Sequence, residues 1–321
     1  MNDCIEVEGL AMHFRGCKAL QRVDLSIPSG SVFALLGENG AGKTTLIRIL
    51  TGFQRPTSGK VRILGLDPVR NALEIRRRIG YVSDSPALYQ WMRIDEIGSF
   101  ASAFYPAGFL DNYHDLITRY ELPADRKIKH LSKGQRAKVA LALAVSNDPE
   151  LLILDEPTSG LDPLVRRAFL ESMVERAARG RTVLLSSHQI SEIERVADRM
   201  AIIHDGQVRL NGSLAEMRNE VVEVTFSVTD PLAVLPVVDG PVEVLSEQKS
   251  GRQVRLIARN SDGSIEKTIS DWPGVHSIRS RPASLEELFV ACTRGDEMVS
   301  GQVAQSPSSG GDSQRTDYQI S

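Results

Sequence analysis

The sequence predicts an α/β fold with an inserted helical subdomain and a small C-terminal α+β appendage. Up to about residue 215, short aliphatic runs alternate with longer helical patterns, which is typical of a largely buried sheet covered by helices. The segment 86–130 interrupts this alternation, because it is rich in aromatic residues and lacks strand-like runs. After about residue 218, strand patterns return and are followed by the amphipathic run SLEELFVACTR. We therefore predict a main domain at 4–217 with a helical subdomain at about 86–147, an accessory domain at 218–294 and a disordered tail at 295–321.

Composition and charge are those of an ordinary globular protein. The 321 residues are 41% hydrophobic and 25% charged, and the formal net charge of -3 gives no overall attraction to nucleic acid or to an anionic membrane surface. Cys4, Cys17 and Cys292 lack the paired spacing of a zinc site or a disulfide framework, which favours a reducing compartment. The N-terminal residues do not resemble a secretory signal, and no run approaches the roughly 18 to 20 apolar residues of a membrane span. We expect a cytosolic protein that acts at a membrane only through a partner.

The predicted elements of the main domain follow one another along the chain. Aliphatic and β-branched runs predict strands at IEVEGL, VDLSI, VFALLG, KVRIL, IGYVSD, LLILDE, TVLLSSH and RMAIIHDGQV. Helices are predicted after Gly42, Ser132, Asp162 and Ser191. In the accessory domain, the runs VVEVTFSV, PVEVL and RQVRLIAR predict three more strands before the final helix.

A glycine-rich phosphate-binding loop is predicted between the strand VFALL and the helix TLIRIL. The residues GENGAGKT at 37–44 fit the pattern G-x-x-x-x-G-K-[ST]. Glycines let successive N–H groups point inward at phosphate oxygens, and the helix that follows presents its positive dipole end to the same anion. Lys43 would contact the terminal phosphates and Thr44 would ligate Mg²⁺. The candidate nucleotide ligands here are Gly37, Asn39, Gly40, Ala41, Gly42, Lys43, Thr44 and Thr45.

Two carboxylates end the buried run LLILDE. Ligands of open α/β sheets bind at the carboxyl ends of strands, where Asp155 and Glu156 are predicted to lie. Asp155 would hold Mg²⁺, directly or through water. Glu156 would orient or deprotonate the water that attacks the terminal phosphate. The two motifs together predict a P-loop nucleotidase and do not specify its class.

Later motifs resemble those of the ATP-binding cassette (ABC) ATPases. Leu131-Ser132-Lys133-Gly134-Gln135 opens a helix and resembles the family's LSGGQ signature, which implies that Ser132, Gly134 and Gln135 contact the γ-phosphate held by another subunit. Ser159-Gly160-Leu161-Asp162 resembles the D-loop, which makes Asp162 a candidate nucleotide-site residue. His188, after the strand TVLLSS, resembles the switch histidine that contacts the γ-phosphate.

Two positions differ from the usual family pattern. Phe14 stands where a tyrosine commonly stacks on adenine; stacking needs no hydroxyl, although a phenylalanine here could equally belong to the core or an edge strand. Asp84 follows IGYVS where the family usually has the Q-loop glutamine. Its carboxylate could bind Mg²⁺ or the water around it. The aromatics near Leu88, Tyr89 and Trp91 either form the surface that couples to a permease or fill the subdomain core.

The resemblance covers about residues 4–215 and implies a P-loop ABC ATPase core that binds ATP and Mg²⁺. It implies a homodimer or heterodimer of ATPase subunits that drives a separate integral membrane permease, peripheral on the inner face of the cell membrane. The final SLEELFV helix is similar to that of ABC-2 type exporter subunits, including the YtrB-like group, which favours export. The alternative is a non-transport ABC ATPase that acts on ribosomes or DNA. Such proteins usually carry two cassettes or a long coiled coil, for which the stretch from Thr44 to His130 has neither room nor heptads, so no nucleic-acid partner is expected.

Overall fold

The computed structural model describes residues 3–159, 161–236, 242–260 and 263–299. Its strands are β1 Asp3–Phe14, β2 Cys17–Pro28, β3 Val32–Leu36, β4 Ser58–Ile63, β5 Ile79–Val82, β6 Leu151–Asp155, β7 Thr182–Ser187, β8 Arg199–His204, β9 Gln207–Ser213, β10 Val221–Val228, β11 Val242–Ser250, β12 Gln253–Asn260 and β13 Val275–Pro282.

The helices are α1 Lys43–Leu50, α2 Ala72–Arg78, α3 Ile94–Ser102, α4 Phe109–Arg119, α5 Lys133–Val145, α6 Pro163–Ala178, α7 Ile190–Val196, α8 Leu214–Glu220, α9 Ile265–Ser270 and α10 Leu285–Val299, with a 3₁₀ turn at Ile128–His130. They lie between the strands, except that α3, α4 and α5 follow one another and α10 comes after the last strand.

A six-stranded sheet in the order β5-β6-β7-β3-β8-β9 forms the centre of the molecule. All neighbours in it are parallel except β8 and β9. Strands β3 and β6 are buried along their whole length, as expected for central parallel strands. In the register, Leu36 pairs with Ser187 and Asp155 with Ser186. The carboxyl ends of β3, β6 and β7 therefore meet at one edge of the sheet.

A second sheet, antiparallel in the order β2-β1-β4, packs against this centre. Helices α3, α4 and α5 form a cluster of their own around the fully buried Tyr113, whose hydroxyl donates to the carbonyl of Ile94 at 2.8 Å. This cluster occupies the segment in which the sequence predicts consecutive helices, and the pairing of Arg93 with Lys127 is a single bridge and not a strand.

The C-terminal part contains a four-stranded antiparallel sheet in the order β11-β12-β10-β13. Helix α9 packs on one face of it through Ile265 and Ile269. Helix α10 packs on β11 and β12 of this sheet and also on the main domain: Leu288 and Ala291 share one buried cluster with Ile257 of β12, Ile193 of α7 and Met200 of β8. This hydrophobic cluster thus joins the C-terminal sheet to the central one.

Several element boundaries differ from the sequence prediction. The run RMAIIHDGQV is not one strand but the hairpin β8–β9, which turns at Asp205 and Gly206, both with positive φ. Helix α7 begins at Ile190, before the predicted start after Ser191. Strand β13 and helices α8 and α9 are absent from the sequence prediction.

The predicted tail also overlaps with a helix. Helix α10 continues to Val299 and so takes up the first five residues of the range 295–321, for which disorder is predicted. The rest of that range, 300–321, lies outside the described residues. Among the described residues, no helix is both long and apolar enough to cross a bilayer.

Candidate functional site

The phosphate-binding loop connects β3 to α1 and is shaped by its glycines. Gly40 and Gly42 have φ values of 87° and 110°, which L side chains rarely adopt. A Cβ on Gly42 would lie 2.7 Å from the carbonyl oxygen of Ala19, so this position also requires glycine for space. The loop is tied to the β8–β9 hairpin because the N–H of Gly206 donates to the carbonyl of Ala41 at 3.0 Å.

The ammonium group of Lys43 lies inside this loop. The residue is 5% exposed, and its Nζ donates to the carbonyls of Gly37 at 2.6 Å and Glu38 at 3.2 Å. The same Nζ lies 3.1 Å from Oε1 of Glu156. A buried cation that is hydrogen-bonded to its own loop gives the loop a fixed positive charge, which suits the binding of phosphate.

Asp155 is the last residue of β6 and Glu156 follows it, and both are held by the hydroxyl of Ser186 on β7. This hydroxyl donates to Oδ1 of Asp155 at 2.7 Å and accepts from the backbone N–H of Glu156 at 3.0 Å. Asp155 is 2% exposed. Glu156 has a φ of 49°, a left-handed conformation that costs on the order of 1–3 kcal/mol in a non-glycine residue and is often found at functional sites.

His188, directly after β7, completes a row of three charged or titratable side chains. Its Nδ1 lies 2.8 Å from Oε2 of Glu156. Because a carboxylate only accepts hydrogen bonds, the imidazole is the donor in this contact. Glu156 therefore lies between the ammonium of Lys43 and the ring of His188, and the structure brings these three predicted residues together.

A cavity of about 560 Å³ opens beside the phosphate loop, within the range typical of small-molecule sites. Phe14 from the end of β1 lines it and is 47% exposed. The predicted residues Asn39, Gly40, Gly42, Lys43, Thr44, Thr45 and Glu156 also line the cavity. Sequence reasoning missed Cys17, Lys18, Gln21 and the hairpin residues Asp205 and Gly206, which line it as well and belong to no nucleotide-binding motif.

The oxygen donors expected for Mg²⁺ are divided between the cavity and its surroundings. Thr44 lines the cavity, and the buried Asp155 has one carboxylate oxygen bound to Ser186. A hydroxyl and a carboxylate are the hard oxygen ligands that Mg²⁺ prefers. Asp84, after β5, is exposed and does not line the cavity; its carboxylate accepts from the hydroxyl of Ser85 at 3.4 Å.

The signature residues lie at the start of α5. Ser132 caps this helix: its hydroxyl accepts from the N–H of Gln135 at 3.1 Å, and the Gln135 side chain accepts from the N–H of Ser132 at 3.0 Å. Asp162 caps α6 through its carboxylate, which accepts from the N–H of Val165 at 3.0 Å. Among the described residues that line the phosphate-loop cavity, none comes from the set Ser132, Gly134, Gln135 and Asp162.

A second groove lies between the central sheet and the helical cluster. It has a volume of about 410 Å³, and Tyr81, Leu88 and Tyr105 are part of its lining. Tyr89 and Trp91 follow Leu88 in the chain but are not among the lining residues. They are 50% and 65% exposed, so these two aromatics lie on the surface and do not fill the subdomain core.

Comparison with known proteins extends these observations. The model of the family described as ABC transporter matches residues 20–159. The chain is 39% identical over 206 residues to an uncharacterised ABC transporter ATP-binding protein of Nostoc sp. (strain PCC 7120), with 62% of this chain and 61% of that protein covered. It thus spans about three fifths of that relative's length. It is 31% identical over 306 residues to Nod factor export ATP-binding protein I of Neorhizobium galegae, with 92% of this chain and 86% of that protein covered.

Solved structures show the same similarity. An ATP-binding subunit of an ABC transporter superposes with a TM-score of 0.63 and 32% identity, and the match covers 67% of this chain and 92% of that chain. A dimeric bacterial ABC transporter cassette superposes with a TM-score of 0.59 and 25% identity, covering 65% of this chain and 98% of that chain.

Proposed function

Because the chain belongs to the family of ABC transporter ATP-binding proteins, we propose that it hydrolyses ATP to power transport, in the direction of export, through a separate membrane permease. ATP binding and hydrolysis are the activity of this family, and the chain is an ATPase of the cassette type. The direction of transport is supported by the relative named for Nod factor export, which aligns with 92% of this chain.

The proposed mechanism of ATP hydrolysis rests on the contacts of Glu156 with Lys43 and His188. The loop N–H groups and Lys43 bind the phosphates of ATP, and Glu156, at the rim of the same cavity, orients or deprotonates the attacking water. His188 donates to Glu156 and so keeps the carboxylate directed toward the phosphates. Phe14 stacks on the adenine at the open side of the cavity.

Thr44 and Asp155 are the proposed protein ligands of Mg²⁺. When bound, the ion neutralises the negative charge that develops on the phosphate oxygens. Asp84 stays a predicted third ligand of Mg²⁺, and this prediction rests only on its place in the Q-loop.

We propose that two subunits, identical or different, are needed for one complete site. Ser132, Gly134, Gln135 and Asp162 lie outside the lining of their own chain's cavity, although two of them cap helices whose N-terminal N–H groups suit an anion. A second subunit would supply them across the interface. The dimeric cassette among the similar solved structures supports this arrangement.

The permease would dock on the groove beside the helical cluster. Leu88 lines this groove, and the exposed Tyr89 and Trp91, which follow it in the chain, offer the apolar, aromatic contact area that interface cores favour. The protein would then work at the inner face of the cell membrane, held there by its partner.

Two measurements test this function. Purified full-length chain should hydrolyse ATP in the presence of Mg²⁺, Lys43→Ala should abolish turnover, and Lys60→Ala, which alters an exposed lysine outside the cavity, should not. Affinity purification from detergent-solubilised membranes should recover a multi-spanning protein. Recovery of ribosomes or DNA in its place would overturn the transport proposal and favour a non-transport ABC ATPase.

A further inference from the structure

One buried carboxylate has no part in the chemistry described so far. Glu192, on α7, is 3% exposed, and its Oε2 accepts hydrogen bonds from the hydroxyl of Thr158 at 2.8 Å and from that of Ser187 at 3.0 Å. Thr158 lies two residues after Glu156, and Ser187 directly precedes His188. A single oxygen atom therefore joins the segment that follows the proposed base to the segment that carries the histidine.

The other oxygen of Glu192 extends the connection through an arginine on α6. Oε1 lies 3.4 Å from Nε of Arg166. Arg166 donates through Nη1 to the side chain of Gln189 at 2.9 Å and through Nη2 to the carbonyl of Leu161 at 3.2 Å. Gln189 follows His188, and Leu161 belongs to the D-loop. The pair thus holds each of the two segments at a second point.

Packing alone does not explain a charged pair at this place. Burying a carboxylate is costly unless it is well paired, and apolar side chains of similar volume often replace buried ion pairs without loss of stability. The contacts of Glu192 and Arg166 are directed at the backbone and side chains next to Glu156 and His188, whereas neither residue lines the cavity.

We propose that Glu192 is a positioning residue for ATP hydrolysis, which rests on the proposed role of Glu156 as the base. By fixing Thr158 and Ser187 to one oxygen, Glu192 keeps Glu156 and His188 within hydrogen-bond distance of each other. Arg166 neutralises the buried charge and aligns the D-loop with the same network.

Steady-state kinetics of the full-length chain with ATP and Mg²⁺ test this role. Glu192→Ala should lower kcat by about 10- to 100-fold, since small misplacements of reacting groups cost that much. KM for ATP should stay the same, because Glu192 does not line the nucleotide cavity. Glu192→Gln should recover most of the lost kcat, because its amide oxygen accepts the same two hydroxyl donors.

A matched control separates positioning from general stability. Glu223 is 7% exposed and is paired with Arg255 and Arg281, far along the chain in the C-terminal sheet. Glu223→Ala should lower the Tm as Glu192→Ala does, but leave kcat unchanged. Thr158→Val keeps the side-chain volume and removes one hydroxyl donor. It is the second variant if Glu192→Ala does not fold, and it should lower kcat only.

The outcomes distinguish the two proposals. If wild-type chain hydrolyses ATP but Glu192→Ala and Thr158→Val keep the kcat of the Glu223→Ala control, the positioning role is wrong and the proposed function stands. If KM rises in proportion to the loss of kcat, the role is also wrong, because the substrate site itself has then been damaged. A wild-type chain without ATPase activity overturns both proposals.

Discussion

The Nδ1 atom of His188 lies 2.8 Å from Oε2 of Glu156, whose other carboxylate oxygen lies 3.1 Å from Nζ of Lys43. The three side chains come from three different chain segments, which meet because β3, β6 and β7 are neighbours in the central sheet. Both carboxylate oxygens of Glu156 are thus in contact with a neighbouring side chain. A change at Glu156 should therefore affect turnover more than nucleotide binding.

Glu156→Gln should reduce ATP turnover by about 10²- to 10⁴-fold, the contribution expected of a general base. The amide keeps the size of the side chain, so ATP should still bind, and an ATP-bound dimer should accumulate on size-exclusion chromatography. Glu150→Gln is a suitable control, because it changes a carboxylate paired with Arg78 outside the cavity. A Glu156→Gln variant that stays monomeric at saturating ATP and Mg²⁺ would contradict the two-subunit site.

Phe14→Ala should weaken ATP binding, because base–aromatic stacking contributes about 1–3 kcal/mol, or about 5- to 150-fold in Kd. Phe14→Tyr keeps the ring and should bind ATP as wild type does. Calorimetric titration of the full-length chain measures both. Phe104→Ala removes an exposed ring outside the cavity and serves as the control; an equal loss of affinity in both alanine variants would rule out a specific stacking role.

Gly98→Ala should destabilise the fold, although the same change in an ordinary helix interior stabilises by about 0.5–1 kcal/mol. A Cβ at Gly98, in α3, would lie 2.2 Å from ring atoms of the fully buried Tyr113. Overpacking of this kind costs about 1–3 kcal/mol, which urea unfolding can measure. Ser99→Ala, at the exposed neighbouring position, should be close to neutral. If Gly98→Ala raised the free energy of unfolding instead, α3 and α4 would have to move apart easily enough to accept the added Cβ.

Glu287→Gln should cost stability in a pH-dependent manner. The Arg281 guanidinium, and after it the hydrogen bonds of Ser284, hold the pKa of Glu287 well below its usual range. A lowered folded-state pKa contributes stability above the unfolded-state pKa of about 4.3, and this is lost as the pH falls through the folded-state pKa. The deficit in the free energy of unfolding should therefore be largest near pH 7 and shrink below about pH 4.3.

Urea unfolding of wild type and variant at several pH values measures this difference. Glu286→Gln, which changes the exposed neighbouring carboxylate, is the control. A deficit for Glu287→Gln that does not vary with pH would show that shape, and not charge, is responsible.

Local sequence patterns predicted the central strands well, but not every turn between them. LLILDE and TVLLSSH are apolar runs with polar ends, and the structure has β6 and β7 there. The run RMAIIHDGQV was predicted as one strand because its apolar residues dominate, yet the Asp205-Gly206 pair is a strong two-residue hairpin signal. Helix α8 also had a signal, the capping box from Ser213 to Glu216.

The candidate site likewise contains residues that the sequence could predict and residues that it could not. Lys43, Thr44, Asp155 and Glu156 could be predicted as site residues because backbone geometry and phosphate chemistry restrict which residues can occupy such a loop and strand end, and their roles stay predictions. Ser186 and Glu192 were missed, since a serine or glutamate next to a strand end has no local pattern that reveals its partners. Their contacts to Asp155 and Thr158 depend on the pairing of β6 with β7 and on the packing of α7, which only the fold supplies.

An apolar cluster joins α10 to α7 and β8, and we therefore expect the two predicted domains to unfold as one cooperative unit. Ile193 and Met200 are fully buried, and they share this cluster with Leu288 and Ala291. A chain cut at residue 217 would therefore present an unsatisfied hydrophobic surface next to the helix that follows His188, and we would expect it to aggregate. Thermal melting of the intact chain should accordingly show a single transition for the nucleotide-binding core and the C-terminal sheet, whose stabilities are linked through these side chains.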